Sequence, residues 1–300
     1  MTTFFDDTDE IAEMPRLPQS GLRTALSIAG LDPSGGAGVI ADVRTFDALD
    51  VYGMAAVATV TYQNTSGVMG RFDLPPDALL AQIEAIFDDR MPNAIKTGAL
   101  GSADSVREVG LLLAERYSGP LVVDPVVLSA GGHRLLDEDA VSALERFLLP
   151  VAAMVTPNVK EVELLSGFAV FDSKDAEAAA LRLVAAGARS ALITGLKTVE
   201  AGEDVSADVF CDGKDMEIFT NPWVEGLEVH GSGCLLSAGI AACLARGLSL
   251  KDAVLEARVL TRAAIEVPVF PGRGAACADP FMLKRAMRTQ VQEAQESEAR

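Results

Sequence analysis

Four short stretches of this 300-residue chain put reactive or ligand-holding residue types where an apolar run gives way to a helical pattern. The first is Gly30-Leu31-Asp32-Pro33-Ser34-Gly35-Gly36-Ala37-Gly38. Its glycines let backbone approach a ligand closely, and Asp32 adds a polar group at the strand end. Read alone it serves equally as a tight strand-to-helix turn, because it has neither a Walker lysine nor dinucleotide-loop spacing. The second is Val229-His230-Gly231-Ser232-Gly233-Cys234. Successive N–H groups at Gly231, Ser232 and Gly233 make an anion hole at a helix start, and the same donors and dipole stabilise a thiolate at Cys234. The plain alternative is a small apolar cysteine buried beneath a helix end. The third, Thr156-Pro157-Asn158-Val159-Lys160-Glu161, places Asn158 and Glu161 three residues apart on one helix face. An amide and a carboxylate there can orient a hydrated Mg²⁺, and they can equally form a helix cap. In the fourth, Asp124-Pro125-Val126-Val127, Asp124 reads as a second metal-side ligand or as a turn residue.

These stretches need a scaffold of strands ending beside helices, and the pattern predicts one. Apolar runs at Thr24–Ala29, Ala55–Thr61, Ala94–Lys96, Leu121–Asp124, Met154–Thr156 and Ala191–Thr194 alternate with helical periodicity near 37–49, 76–88, 103–116, 138–148, 159–166, 174–186, 233–246 and 250–266. Alternation at this spacing gives right-handed βαβ crossovers and a mostly parallel sheet covered on both faces. In such a sheet ligands bind beyond the carboxyl ends of the strands, where all four stretches lie. Residues 200–217 depart from the rhythm and read as an acidic hairpin turning at Asp212-Gly213. The expected organisation is an acidic, mobile lead at 1–20, one domain over 21–280, and a polar C-terminal helix or tail at 281–300.

Charge narrows the function classes. Lys plus Arg number 25 and Asp plus Glu 43, for a net charge of −18, which argues against nucleic acid and against an anionic membrane as partners. Hydrophobic residues make up 49%, enough for a sizeable core. The four cysteines show no C-x-x-C pair, and the first twenty residues carry acids where a signal peptide needs bases. A reduced, cytoplasmic location is expected.

Taken together and in this order, the stretches resemble the ribokinase-like small-molecule kinases, in particular the hydroxymethylpyrimidine/phosphomethylpyrimidine kinases. The likeness runs over roughly residues 22–267, through ALSIAGLDPSGGAGVIADVRTFDALDVYGMA, YQNT around Gln63, TPNVKE and HGSGC. It implies an α/β, ribokinase-like three-layer sandwich and ATP- and Mg²⁺-dependent phosphorylation of a pyrimidine's hydroxymethyl group and then of the monophosphate, for thiamine diphosphate. By position it implies that Gln63 bonds the substrate ring, with Gly30, Asp32 and Ala99 in the same pocket. Gly231, Ser232 and Gly233 would hold the transferring phosphoryl oxygens, and Cys234 would take the hydroxyl proton. Asn158, Glu161 and Asp124 would serve the ATP side, with Asp124 and Glu161 as metal ligands; a homodimer is implied as well.

Three positions depart from that family's pattern. Thr194-Gly195-Leu196-Lys197 stands for Lys-Gly-Gly-His, which removes a lysine near the ATP phosphates and leaves Lys197 as a partial substitute. Lys96-Thr97-Gly98-Ala99-Leu100 stands for Lys-Ile-Gly-Met-Leu, so Ala99 enlarges the pocket, and Ser232 stands for a threonine. A pyridoxal kinase is the enzyme alternative, since Ala99 suits a larger ring. A non-catalytic pyrimidine-binding protein is the alternative of another class, on the missing lysine.

Overall fold

The apolar runs become strands because their alternate residues have two different cores to enter. In β1 (Thr24–Leu31), Leu26 and Ile28 fill one core and Ala25 the other. The same division recurs at Ile95 and Ala94 in β4 (Ala94–Thr97), Val123 and Val122 in β5 (Leu121–Val123), and Val155 and Met154 in β6 (Met154–Val155). A strand buried on both faces needs a helix layer on each side. Over the first core lie α2 (Pro76–Asp89), α3 (Ala103–Arg116), α4 (Glu138–Ala143), α5 (Val159–Ser166) and α6 (Ser173–Ala185). Over the second lie α1 (Gly38–Ala48), α7 (Ser232–Ala245) and α8 (Leu250–Glu266). Helix α7 is apolar on every face, SGCLLSAGIAACLA, and accordingly is the buried one, held between α1 and α8.

The computed structural model describes residues 21–127, 136, 138–225 and 229–282. The expected lead at 1–20, and the expected tail beyond its first two residues, lie outside these. The main sheet runs β3-β2-β1-β4-β5-β6-β7-β8-β9, with β2 (Tyr52–Asn64), β3 (Gly67–Asp73), β7 (Ala191–Glu200), β8 (Glu203–Cys211) and β9 (Met216–Pro222). Strands β2 to β7 are parallel across the centre, and antiparallel hairpins close both edges. The three-layer α/β sandwich is as expected. No described helix is long and apolar enough to cross a membrane.

Two edges differ from the sequence reading. β3 was not expected, since GVMGRFD has two glycines and no clean alternation. The acidic hairpin is a three-stranded meander: Ala201-Gly202, both left-handed, join β7 to β8, and Asp212-Gly213 turns β8 into β9 with Asp212 Oδ1 accepting from the Lys214 and Asp215 N–H groups. A second, two-stranded sheet pairs β10 (Val229–His230) with β11 (Ala276–Cys277) in parallel.

Candidate active site

The chain leaves β1 for β2 on one side and later places β4 on the other, so strand order reverses at β1. A crevice opens beyond the carboxyl ends at such a point. It is a cleft of about 520 Å³, and Gly30, Asp32, Gln63, Ala99, Asp124, Asn158, Glu161, Gly231, Ser232, Gly233 and Cys234 all line it. Four stretches spread over two hundred residues thus meet in one place.

Two glycines make the floor. Gly231 has φ 81°, and a Cβ there would lie 1.8 Å from the Gly36 carbonyl oxygen. Gly38 has φ 60°, and a Cβ there would lie 2.1 Å from the Gly30 carbonyl oxygen. Both positions need a left-handed residue without a side chain, which lets the two loops close on each other. Gly231 also caps α7 without any side-chain acceptor, and the helix's own bonds begin at Leu235 N–H to the Gly231 carbonyl, 2.9 Å. The N–H groups of Ser232, Gly233 and Cys234 therefore have no partner within the helix and face the cleft as a positive end.

Beneath this end lies a charge cluster that the sequence reading did not single out. Lys96, wholly buried, donates from Nζ to both Asp42 oxygens at 2.8 and 3.0 Å, and Ser27 Oγ donates to Asp42 at 2.5 Å. Lys96 Nζ is also 3.8 Å from Asp124, whose Oδ2 accepts from Ser237 Oγ at 2.8 Å. Burial lowers the Lys96 pKa, but the carboxylates of Asp42 and Asp124 around it more than offset that and hold the ammonium charged. Cys234 differs from expectation: burial pushes its thiol up to about 12, reinforced by Asp124 and Asp42 and only partly opposed by Lys96 and a Gly38 N–H. In the unloaded site it is a thiol, because desolvation of a thiolate outweighs the helix dipole.

The cap reading of Asn158 and Glu161 holds. Asn158 Oδ1 accepts from the Glu161 N–H at 3.0 Å and Glu161 Oε2 from the Asn158 N–H at 3.0 Å, a reciprocal capping box. The same carboxylate lines the cleft, where burial and the Asp124 charge push it up to about 8.

On the opposite wall, His230 was passed over by the sequence reading and is central. Its Nε2 lies 2.9 Å from Asp32 Oδ2 and 3.0 Å from the Gln63 amide nitrogen. The second sheet holds it, since β11 pairs beside it and the Ala278 N–H donates to its carbonyl. Asp279, next along, binds Arg44 at 2.6 Å, and Arg44 donates to the Gly35 carbonyl at 3.2 Å. Residues from the far end of the domain thereby clamp the first glycine loop.

Lys197 is not brought to the cleft. Its ammonium is 2.7 Å from Asp204 and 5.1 Å from the centre of the Trp223 ring, out on the β7–β8 hairpin, so a carboxylate and an aromatic face hold it there. A second cavity of about 440 Å³ adjoins the anion hole, sharing Asn158, Thr194, Gly195, Ser232 and Gly233, and is walled by Trp223, Arg258 and Arg262. Both arginines are ion-paired, Arg258 with Asp208 at 2.8 Å and Arg262 with Glu266 at 2.6 Å, and Asp208 lines the same cavity.

The chain matches the phosphomethylpyrimidine kinase family over residues 32–279. It is 38% identical over 261 residues to a hydroxymethylpyrimidine/phosphomethylpyrimidine kinase of Bacillus subtilis, covering 87% of this chain and 96% of that one. It is also 38% identical over 251 residues to a thiamine biosynthesis bifunctional protein of Geobacter sulfurreducens, covering 84% of this chain and 51% of the other. Among solved structures it is similar to a pyridoxal kinase from Staphylococcus aureus in complex with ADP, with TM-score 0.80, 32% identity, and 88% and 95% of the two chains covered. The non-catalytic alternative falls with these matches. With a family model matching most of the chain and a relative 38% identical along almost its whole length, the chain is a phosphotransferase and belongs to the phosphomethylpyrimidine kinase family.

Proposed function

We propose that this kinase transfers the γ-phosphoryl group of ATP to the hydroxymethyl oxygen of 4-amino-5-hydroxymethyl-2-methylpyrimidine and then to the phosphate of the product, in the cytoplasm, for thiamine diphosphate. The observation that carries the reading is one cleft with Gln63 on one wall and the open N-terminus of α7 with Cys234 at its base. The adjoining cavity beside Trp223 has the place and size for the rest of the nucleotide. In the chain's own chemistry, the amide of Gln63 orients the ring, and the N–H groups at Ser232 to Cys234 hold the transferring phosphoryl oxygens. The attacking alcohol bonds to phosphorus as the bond to the ADP oxygen breaks, and the alcohol proton passes to Cys234 Sγ in its thiolate form, the thiol having first lost its own proton to solvent.

Asp124 and Glu161 fit a hard divalent cation, being two buried oxygen donors of which one raises the pKa of the other. They would hold Mg²⁺, which when bound offsets the charge on the phosphoryl oxygens. Glu161 titrates near 8 when folded and near the ordinary 4.5 when unfolded, so between these values only the unfolded chain is ionised there and stability falls as pH rises. Cation binding needs the ionised form and reverses this. The rise in Tm on adding Mg²⁺ should therefore grow between pH 6 and pH 8.5 and flatten in Glu161→Gln; an unchanged titration in that variant takes Glu161 out of the metal site.

ADP release with the pyrimidine and with pyridoxal separates the two substrates. The likeness to a pyridoxal kinase structure keeps pyridoxal as the second reading, and a higher kcat/KM for pyridoxal would establish it. A homodimer belongs to the same proposal: among the described residues β3 is the sheet's edge strand, with Met69 and Phe72 exposed on it. Sedimentation at micromolar concentration should give a dimer, and a monomer there removes it.

A further inference from the structure

We infer that His230 and Asp32 are positioning residues that fix which end of the Gln63 amide donates and which accepts, and so which way round an aminopyrimidine lies in the cleft. The inference rests on the pyrimidine reading above. Asp32 Oδ1 accepts from the Ser34 N–H at 2.9 Å and Ser34 Oγ at 2.7 Å, and Oδ2 accepts from the Ala37 N–H at 3.0 Å. With three donors already aimed at it, Asp32 is a carboxylate, and it can meet His230 Nε2 at 2.9 Å only if that nitrogen carries a proton. This holds whether the imidazole is neutral or charged.

The other end of the amide is constrained in the same sense, across a longer contact. Thr61 has one hydroxyl proton, and the Leu31 carbonyl 2.9 Å away takes it, so toward Gln63 at 3.3 Å Thr61 can only accept. The two ends of an amide have the same shape, and the protons around it decide its orientation. Drawn with its nitrogen toward His230 and its oxygen toward Thr61, the amide sets donor against donor at one end and acceptor against acceptor at the other. Turned over, the amide nitrogen donates to Thr61, and the one Nε2 proton of His230 is shared between Asp32 Oδ2 and the amide oxygen. Gln63 then keeps one N–H on the Thr61 side and one oxygen lone pair on the His230 side.

A 4-aminopyrimidine complements that pair in one sense only, ring nitrogen to the N–H and amino group to the oxygen. The hydroxymethyl arm is thereby aimed in one direction. A 4-oxo analogue carries a ring N–H and a carbonyl, the reverse order, and meets donor with donor. Leaving buried polar groups opposed is what lets a hydrogen-bonding site reject a near-isostere strongly. With the His230 proton removed, only the longer Thr61 contact still favours one orientation of the amide, and the discrimination between the two rings weakens.

The test compares kcat/KM for the 4-amino substrate and its 4-oxo analogue in the full chain, its His230→Phe variant and its Gln63→Leu variant. The unaltered protein should prefer the amino ring by about 10²-fold or more, and His230→Phe should cut that preference at least about tenfold, through KM more than kcat. A merely loosened site would slow both substrates together and keep the preference. Preference retained in His230→Phe but lost in Gln63→Leu overturns the lock and keeps the pyrimidine reading. Preference retained in both overturns the Gln63 contact as well, and phosphorylation of neither pyrimidine by the unaltered protein removes the substrate reading itself. A measurement independent of turnover, and of whether His230→Phe folds, is the ¹⁵N spectrum of the chain's two histidines. A protonated Nε2 is expected at His230 when the ring is neutral; a proton on Nδ1 alone overturns the lock whether or not the protein is active.

Discussion

Cys234→Ala should lower kcat by about 10²-fold or more with KM little changed, because a group that moves a proton in the transition state contributes about 10²–10⁴. The geometry gives this result a pH signature. In the unloaded site burial holds the thiol near 12, with Asp124 and Asp42 adding to it and Lys96 and the Gly38 N–H working against it. Neutralising Asp124 in the loaded site removes one opposing charge and lowers that value. The rate at saturating Mg²⁺ should then climb with pH above about 9, where Glu161 is already ionised and no longer contributes a slope. In Cys234→Ala that alkaline climb should vanish. A near-normal rate, or an unchanged profile, would leave Cys234 with packing alone and send the alcohol proton straight to a phosphoryl oxygen.

Lys96→Met should be the most destabilising exchange near the site. It leaves Asp42 wholly buried with Ser27 as its remaining hydrogen-bond donor among the described residues, and it takes from Asp124 and Cys234 the cation beside them. Breaking a buried pair from one side costs about 3–5 kcal/mol. At about 2–4 °C per kcal/mol for a domain approaching this size, Tm should fall by roughly 10 °C. Removing the second charge as well, in Lys96→Met with Asp42→Leu, should recover much of the loss, since the exposed penalty is an unpaired charge and not a lost bond. Thermal melts of the three proteins decide it: a Lys96→Met melt within a degree or two of the unaltered chain would mean that Asp42 is neutral there.

Much of this was legible before any coordinates. The six central strands and the helices between them follow from apolar runs bounded by Gly, Asp or Thr, because a doubly covered parallel sheet writes itself as continuous apolar segments. The four stretches come together because strand ends in such a sheet share one edge. Lys96 and Asp42 were missed although each breaks a local rule: a lysine inside the strand AIKT and an aspartate on the apolar face of VIADVRTF. Two rule-breaking residues of opposite charge are a signal only when read as a pair, and 54 positions separate them. His230 was hidden differently, because its partners Asp32 and Gln63 come from the loop after β1 and from β2, and its own neighbours are glycine and valine. Lys197 shows the converse failure: adjacency along β7 suggested the cleft, while Asp204 and Trp223, distant in sequence, hold it on the hairpin.

The clamp between Arg44 and Asp279 spans 235 positions, and that separation has a meaning for synthesis. A ribosome releases the glycine loop long before it releases the residues that hold it, so the nascent chain can collapse around its first strands yet carry no finished pocket. Only when β11 and Asp279 emerge does His230 gain its neighbouring strand and the loop its anchor. Competence to bind substrate is thereby deferred until nearly the whole domain has been made, and an unfinished chain holds no metabolite.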